Sequence, residues 1–358
     1  YKMKNILITG GGGFIGSHIC LNLLEQDYNI YVADSFVNSS KKVFDFIREI
    51  LQKKNNFDNT RLHIYEGDIR DELFLKNLFM DALKSGNTLD GVIHCAGLKA
   101  VRESIKKPLI YWDVNVNGSI NLLKVMDQNE CRTILFSSSA TVYGKSNKIP
   151  FKESATLDPI NPYGETKVAV ERILDNLYES SNKKWNVGYL RYFNPIGADH
   201  SGLIGENPSG KPENIFPLIC QVAAGLRNKL FIYGNDWPTT DGTCQRDYIH
   251  IVDLAQAHKK AIEYLLDSNS CNLILNVGKG KSNSVLDLIK TFEKVNKIKI
   301  NYEFTDRRDG DIAKSLADTN KILKILNWKP KKTIEDMCID GWRWQNKILI
   351  KMKKNLTV

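Results

Sequence analysis

Lys4-Asn-Ile-Leu-Ile-Thr-Gly-Gly-Gly-Gly-Phe-Ile-Gly-Ser-His18 is the stretch on which the fold turns. Ile6, Leu7 and Ile8 form a short apolar run, the pattern of a strand buried on both faces. Four glycines follow. Ile15, Ile19 and Leu23 then recur at helical spacing, so a helix begins near Gly13. In a strand, glycine turn and helix, the backbone bends tightly and approaches a pyrophosphate with no Cβ in the way. The first N–H groups of the helix and the positive end of its dipole face the phosphates. Gly10-x-x-Gly13-x-x-Gly16 and Gly11-x-Gly13-x-x-Gly16 both fit such a fingerprint. A glycine-rich turn can also hold nothing. The next apolar run, Asn29 to Ala33, separates the two readings, because it ends in Asp34, 24 residues after Gly10. An acid there accepts from the ribose hydroxyls of a dinucleotide. Asp34 would repel the 2′-phosphate of NADP, so the pattern points to NAD.

Strand and helix patterns alternate beyond this point. Leu62 to Glu66, Gly91 to Cys95, Thr133 to Phe136 and Val187 to Arg191 read as strands. Helical spacing covers Asp71 to Leu83, Tyr111 to Gln128 and Tyr163 to Tyr178. The alternation predicts an α/β fold with a doubly wound parallel Rossmann sheet. Ligands sit at the carboxyl ends of such strands, which places Asp34, Asp68, Lys99, Ser139 and Asn194 on one rim. Lys41 to Asn59 reads as a surface excursion, helical from Val43 to Leu51. Residues 195–215 are rich in Gly, Pro and Asn and mark a boundary. We therefore expect a dinucleotide-binding domain over 1–195 and a smaller α/β substrate-binding C-terminal domain over 196–358. Segments near 235–260 are expected to return to the first domain.

The 358 residues are 42% hydrophobic and 25% charged, ordinary for a globular protein. No apolar run approaches the roughly 20 residues of a membrane helix, and no basic-then-apolar leader precedes the glycine turn. The cysteines (Cys20, Cys95, Cys131, Cys220, Cys244, Cys271, Cys338) are scattered and form no CxxC pair, so neither a zinc site nor a disulfide framework is expected. A reduced, cytoplasmic setting follows as the expectation. The net charge of +9 is spread along the chain, with a mild cluster at Lys347, Lys351, Lys353 and Lys354. No nucleic-acid recognition motif accompanies it. His94 ends a buried strand and reads as a core residue. His250 has no metal-like partner in sequence.

The sharpest chemical pattern is Tyr163-Gly-Glu-Thr-Lys167 with Ser139 upstream. Tyr and Lys four apart share a helix face. Such pairs are common on surfaces, but this one follows a strand ending in Ser137-Ser-Ser139 in a chain with a dinucleotide fingerprint. A free tyrosine titrates near about 10 and is a poor base at neutral pH. A nearby ammonium and a nicotinamide cation would favour phenolate. Tyr163 could then remove a hydroxyl proton while hydride leaves the same carbon. Ser139 could hydrogen-bond the same oxygen.

Five further segments extend the pattern: Ala96-Gly-Leu-Lys-Ala-Val101, Phe136-Ser-Ser-Ser-Ala-Thr-Val-Tyr-Gly144, Leu190-Arg-Tyr-Phe-Asn-Pro195, Gly234-Asn-Asp236 and Arg246-Asp-Tyr-Ile-His250. With the glycine turn and Tyr-x-x-x-Lys, they resemble the UDP-glucose 4-epimerase family of extended short-chain dehydrogenase/reductases from Lys4 to about Trp344. The resemblance implies tightly bound NAD, reversible inversion of the sugar 4-hydroxyl through a 4-keto intermediate, and catalysis by Tyr163, Lys167 and Ser139. It implies an NAD site of Gly10, Gly13, Phe14, Ile15, Gly16, Asp34, Asn38, Asp68, Ile69, Lys99, Asn115 and Phe193, with Tyr163 and Lys167. It implies a UDP-sugar site of Asn194, Asn214, Ile215, Phe231, Ile232, Tyr233, Arg246, Arg308, Asp311 and Ser315, shared with Ser139 and Tyr163. The arginines agree with the chemistry of diphosphate recognition. A homodimer through helices near Tyr111–Gln128 and Tyr163–Tyr178 is a further implication. No metal, nucleic-acid or membrane partner is implied.

The rival readings are a 4,6-dehydratase, a reductase of the same family, or a non-catalytic NAD-sensing protein. The dehydratase carries an Asp-Glu pair where this chain has Ala140 and Thr141, which cannot eliminate water. The complete Ser139, Tyr163 and Lys167 set opposes a sensor. Ser315 stands where some members of the family carry tyrosine. The smaller side chain implies room for an N-acetyl group, hence turnover of UDP-GlcNAc and UDP-GalNAc.

Overall fold

The computed structural model describes residues 3–54, 57–145, 148–182, 184–207, 210 and 212–355. Asn55 and Asn56 of the surface excursion, residues 208, 209 and 211 of the boundary loop, and the side chains from Lys351 onward lie outside the described residues.

The glycine turn organises the chain as its sequence suggests. Strand β1 (Lys4–Thr9) is buried from Asn5 to Thr9, and α1 (Phe14–Leu24) starts directly after Gly13. Then come β2 (Tyr28–Asp34), α2 (Lys42–Lys54), β3 (Leu62–Glu66), α3 (Glu72–Lys84) and β4 (Gly91–His94). Two short helices, α4 (Val101–Lys106) and α5 (Pro108–Trp112), lead through a π-helical turn at Asp113–Asn117 into α6 (Gly118–Gln128). After β5 (Thr133–Ser139) and α7 (Pro162–Ser180) come β6 (Asn186–Tyr192) and β7 (Asn194–Ile196). The remainder is α8 (Ile215–Ala223), β8 (Leu230–Tyr233), β9 (Gln245–His250), α9 (Ile251–Leu266), β10 (Cys271–Val277), β11 (Ser282–Ser284), α10 (Val285–Asn296), β12 (Tyr302–Thr305), α11 (Asn320–Leu326) and α12 (Ile334–Asn355).

The main sheet has seven strands in the order β10-β6-β5-β4-β1-β2-β3, all paired in parallel. One apolar core joins α1, α2 and α9 to one face, and a second joins α3, α6 and α7 to the other. The doubly wound α/β expectation therefore holds. Strand order reverses between β1 and β4, where such sheets open a crevice at their carboxyl edge. Across that edge lies a third core, built from α8, β8, β9, α10 and α12. It carries a three-stranded sheet, β11-β9-β7, and a two-stranded one, β12-β8. The main sheet draws on both halves of the sequence, since β10 pairs with β6 and α9 lies on α1.

Two local readings change. The single helix expected over Tyr111–Gln128 is broken at Asp113–Asn117, where one wider turn aims the buried Asn115 at the loop after β4. The serine triplet belongs to β5 rather than ending it: its backbone pairs with β6, and Ser137 and Ser138 find buried side-chain partners on α9 and α7. Among the described residues, no helix is long and apolar enough to cross a membrane. All seven cysteines are free.

Candidate active site

The glycine turn closes on itself. A Cβ on Gly16 would stand 2.2 Å from the Gly10 carbonyl oxygen, and one on Gly10 2.7 Å from the Ala96 nitrogen. Gly10 has φ +69°, a conformation that glycine takes without strain. The first turn of α1 has no side-chain cap and no acidic residue, so its N–H groups and dipole are free to meet an anion. Asp34 holds the turn in place: its carboxylate accepts from the Gly12 and Phe36 amides, each at 2.8 Å, and from Ser39 Oγ at 3.1 Å. Phe14 and Ile15 are half-buried against α1's own core, and Asn38 is exposed beside Asp34.

The other residues expected around a dinucleotide sit along the same rim with more varied roles. Asp68 forms a bidentate pair with Arg70 (2.7 and 3.1 Å), which also bonds Asp113 at 2.8 Å. The Arg70 hydrogen bond holds the Asp68 carboxyl below its ordinary value. Ile69 is buried against Gly118, and Phe193 is buried in a small cluster with Phe151 and Val168. Asn115 spends its amide on the protein: Oδ1 accepts from Leu98 N at 2.7 Å, and Nδ2 donates to Leu98 O and Thr166 Oγ1, each at 3.0 Å. Thr166 in turn donates to the Tyr163 carbonyl. Asn115 thus positions the first turn of α7 rather than presenting a free amide. Lys99 reaches over the rim to Glu206 at 3.2 Å.

Asn161 caps α7 by accepting from Gly164 N at 2.9 Å, and Pro162 starts the helix, which fixes the direction of Tyr163. Tyr163, Lys167 and Ser139 are all buried and converge at the end of β5. Lys167 Nζ donates to the Ser137 carbonyl at 2.8 Å and lies 5.7 Å from the Tyr163 ring centroid. Burial pushes the Tyr163 phenol up to about 12, while a hydrogen bond with Ser139 acts in the opposite direction. Burial lowers Lys167 to about 8, against the charges of Cys95 and Glu171. Lys167 points at a backbone carbonyl, so within the chain burial dominates at Tyr163 and Ser139 supplies the counter-effect. Ser139 Oγ also accepts from Thr141 N at 3.3 Å and Thr141 Oγ1 at 3.0 Å, which fixes its orientation.

Sequence reasoning missed the layer behind this trio. Glu171 stands four residues beyond Lys167 on the same helix face and is fully buried. It accepts from Ser138 Oγ at 2.5 Å and from Arg191 at 3.0 and 2.7 Å. Arg191 continues to Tyr143, and Tyr143 to Asn276. The spacing Tyr163, Lys167, Glu171 was the available signal. His94 is a satisfied core residue, bonded to Thr9 and Ser119. His250 caps α9 and faces Asp340. Among the described residues, no group of His, Cys, Asp and Glu side chains gathers that could hold a metal ion.

The opposite wall gathers the expected substrate residues. Arg308 bonds Asp311 through two nitrogens (3.1 and 2.9 Å), and Arg246 approaches the same carboxylate at 3.6 Å. A groove of about 390 Å³ is lined by Lys145, Trp237 and the Arg307–Ala313 loop, including Arg308 and Asp311. Asn214 donates to Glu206 at 3.0 Å, so Glu206 joins it to Lys99 across the cleft. Asn194 opens β7 beside Tyr248 of β9. Ile215 packs on the smaller core. Ser315 is buried, its amide bonded to Gln245 O at 3.0 Å. At β8, Ile232 is 2% exposed within the third core, whereas Phe231 is 45% exposed. Strand alternation sends Leu230 and Ile232 inward, so the Ile232 side chain is unavailable to a ligand.

Comparison with known proteins places this geometry. A family model described as GDP-mannose 4,6 dehydratase matches residues 7–340. The UDP-glucose 4-epimerase of Bacillus subtilis is 45% identical over 341 residues, covering 95% of this chain and 96% of that one. The solved UDP-glucose-4-epimerase of Stenotrophomonas maltophila, with bound NAD and formylated UDP-arabinopyranose, superposes with a TM-score of 0.91 at 41% identity, covering 97% of this chain and 99% of that one. The Bifidobacterium longum enzyme in complex with NAD+ and UDP gives 0.88 at 40%, covering 96% and 98%. At this identity over nearly the whole of each chain, the chain belongs to the UDP-glucose 4-epimerase family of extended short-chain dehydrogenase/reductases.

Proposed function

We propose that this protein interconverts UDP-glucose and UDP-galactose by inverting the sugar 4-hydroxyl, with NAD as a retained cofactor. The observation that carries the reading is the convergence of Ser139, Tyr163 and Lys167 at the carboxyl edge of the main sheet, opposite Arg246, Arg308 and Asp311. The glycine turn, the uncapped start of α1 and the anchored Asp34 fit a dinucleotide whose adenosine ribose bears a free 2′-hydroxyl. A dinucleotide held there by the glycine turn and Asp34 would supply a reversible hydride acceptor for the sugar carbon.

The chain's own residues handle the proton and the geometry. Tyr163 removes the proton of the 4-hydroxyl and returns it to the oxygen of the 4-keto sugar. Ser139, held by Thr141, hydrogen-bonds the phenol and favours its ionised form. Lys167 keeps a positive charge under the site, supported by Glu171. Burial of the trio excludes water, which strengthens each of these interactions. On the other wall, Arg246 and Arg308 hold the diphosphate, leaving the sugar free to present either face to the same Tyr163. A 4,6-dehydratase would need an acid–base pair beside Ser139. That place is taken by Ala140 and by Thr141, whose hydroxyl is committed to Ser139.

We extend the substrate range to UDP-GlcNAc and UDP-GalNAc on the volume left by Ser315. Ser315→Tyr should abolish acetylated turnover while UDP-galactose turnover persists. Equal turnover of both sugars by that variant would refute the volume argument. A homodimer through α5, α6 and α7 is supported by Leu109, Ile110 and Trp112, which α5 leaves exposed beside α7. Size-exclusion chromatography with light scattering checks it; a monomeric mass contradicts it. Purified protein incubated with UDP-galactose tests the main reading by appearance of UDP-glucose.

A further inference from the structure

Tyr233 ends β8 on the substrate wall, and its ring has two cationic neighbours. Arg308 lies with its guanidinium carbon 5.4 Å from the ring centroid, and Arg102 at 5.3 Å. Both distances are within the range of a cation–π contact. The two arginines come from different parts of the molecule. Arg308 belongs to the loop after β12. Arg102 lies on α4, directly after the rim segment that carries Lys99, so it reaches across the cleft from the side of the main sheet.

Their charges are balanced unequally. Arg308 is paired with Asp311, and Arg246 shares that carboxylate. Glu213 acts on Arg308 from an exposed position. Arg102 is exposed and has no carboxylate partner among the described residues; its neighbour Glu103 is engaged by Lys107 and Tyr111. Glu206 is bound to Lys99 and Asn214. Two guanidiniums therefore meet at the Tyr233 ring, one paired with Asp311 and the other without a carboxylate partner among the described residues. Like charges brought this close repel unless an anion joins them. The surplus of positive charge suits a nucleoside diphosphate, whose two phosphates present oxygens on both sides.

We propose that Arg102 is a third diphosphate ligand, supplied by the main-sheet side of the cleft, so that the UDP moiety ties α4 to β8. This rests on the nucleotide-sugar reading above and adds a residue to it. Tyr233 serves as the platform that holds Arg102 and Arg308 apart and aimed at the same ligand. Because Arg102 lies on an exposed helix, its replacement leaves the cores untouched.

Calorimetric titration of the holoenzyme with UDP and with uridine tests the assignment. Arg102→Ala should weaken UDP binding about tenfold, the scale of one charge-assisted hydrogen bond, and leave uridine unchanged. Arg102→Lys should fall between the two, since a lysine keeps the charge and loses the planar fork. Wild-type UDP affinity should fall more steeply with added salt than that of Arg102→Ala. Unchanged UDP affinity in Arg102→Ala, or an equal loss for uridine, overturns the assignment while the nucleotide-sugar reading stands. Wild-type protein that binds no UDP overturns both.

Discussion

The wall that carries Tyr163 and the wall that carries Arg246 treat charge in opposite ways. Behind Tyr163, the Glu171–Arg191 pair is buried and matched. Glu171 and Arg191 are 1% and 3% exposed as side chains and meet through two hydrogen bonds, with Ser138 and Tyr143 completing the set. Across the cleft, Arg308 and Asp311 are 32% and 15% exposed, and the arginines outnumber the carboxylate they share. A buried matched pair is costly to break and keeps its geometry. A partly solvated, unmatched cluster contributes little to stability and is available to an incoming anion. One wall is built for a fixed reaction geometry, the other for capture and release.

This contrast can be broken in several ways. The largest effect is expected at Tyr163→Phe, which removes the proton-transfer group and should lower turnover by roughly 10²–10⁴-fold, read with UDP-galactose as substrate. Near wild-type turnover would move the proton transfer elsewhere. Next comes Glu171→Ala, which strands Arg191 in the interior. Urea unfolding should show a loss of about 3–5 kcal/mol. The matching change on the other wall, Asp311→Ala, should cost at most about 1 kcal/mol by the same method. Similar losses for the two variants would erase the distinction between the walls. Ser139→Ala is subtler. Its hydrogen bond favours the ionised phenol, so its loss leaves Tyr163 with a higher pKa. Because activity requires the ionised form, the acid limb of the pH–rate profile should move to higher pH. A shift to lower pH, or none, would remove Ser139 from the control of Tyr163.

The two walls also differed in how well they could be read from sequence. The sheet side was legible because its cues are local: an apolar run, a glycine turn, an acid at the end of the next strand, and Tyr and Lys at helical spacing. Asp71 stands where the helical spacing begins and caps α3, and Asp34, expected at a ribose, also anchors the glycine turn. What stayed hidden there was pairing over distance. Nothing local shows that Glu171 meets Arg191, twenty positions away, or that Asn115 would be drawn inward by a widened helical turn. The electrostatic balance at Tyr163 was likewise invisible, because burial depends on all the elements packed around it. On the arginine wall, Arg246, Arg308 and Asp311 were reachable only through the family resemblance, since each alone reads as a surface charge. That the Ile232 side chain turns into the core was hidden for a plain reason: a strand presents alternate residues, and the sequence does not say which face meets the core. Arg102 gave no signal, because its contact with Tyr233 spans the cleft.

The central claim is that one buried phenol serves both faces of a sugar held by its diphosphate, with the cofactor carried by the protein. Proton NMR of UDP-galactose incubated with purified protein and no added cofactor tests it most directly. The account predicts growth of the anomeric signal of UDP-glucose to a stable equilibrium mixture, and its absence in Tyr163→Phe. A wild-type protein that leaves UDP-galactose unchanged, even after NAD is supplied, would contradict it.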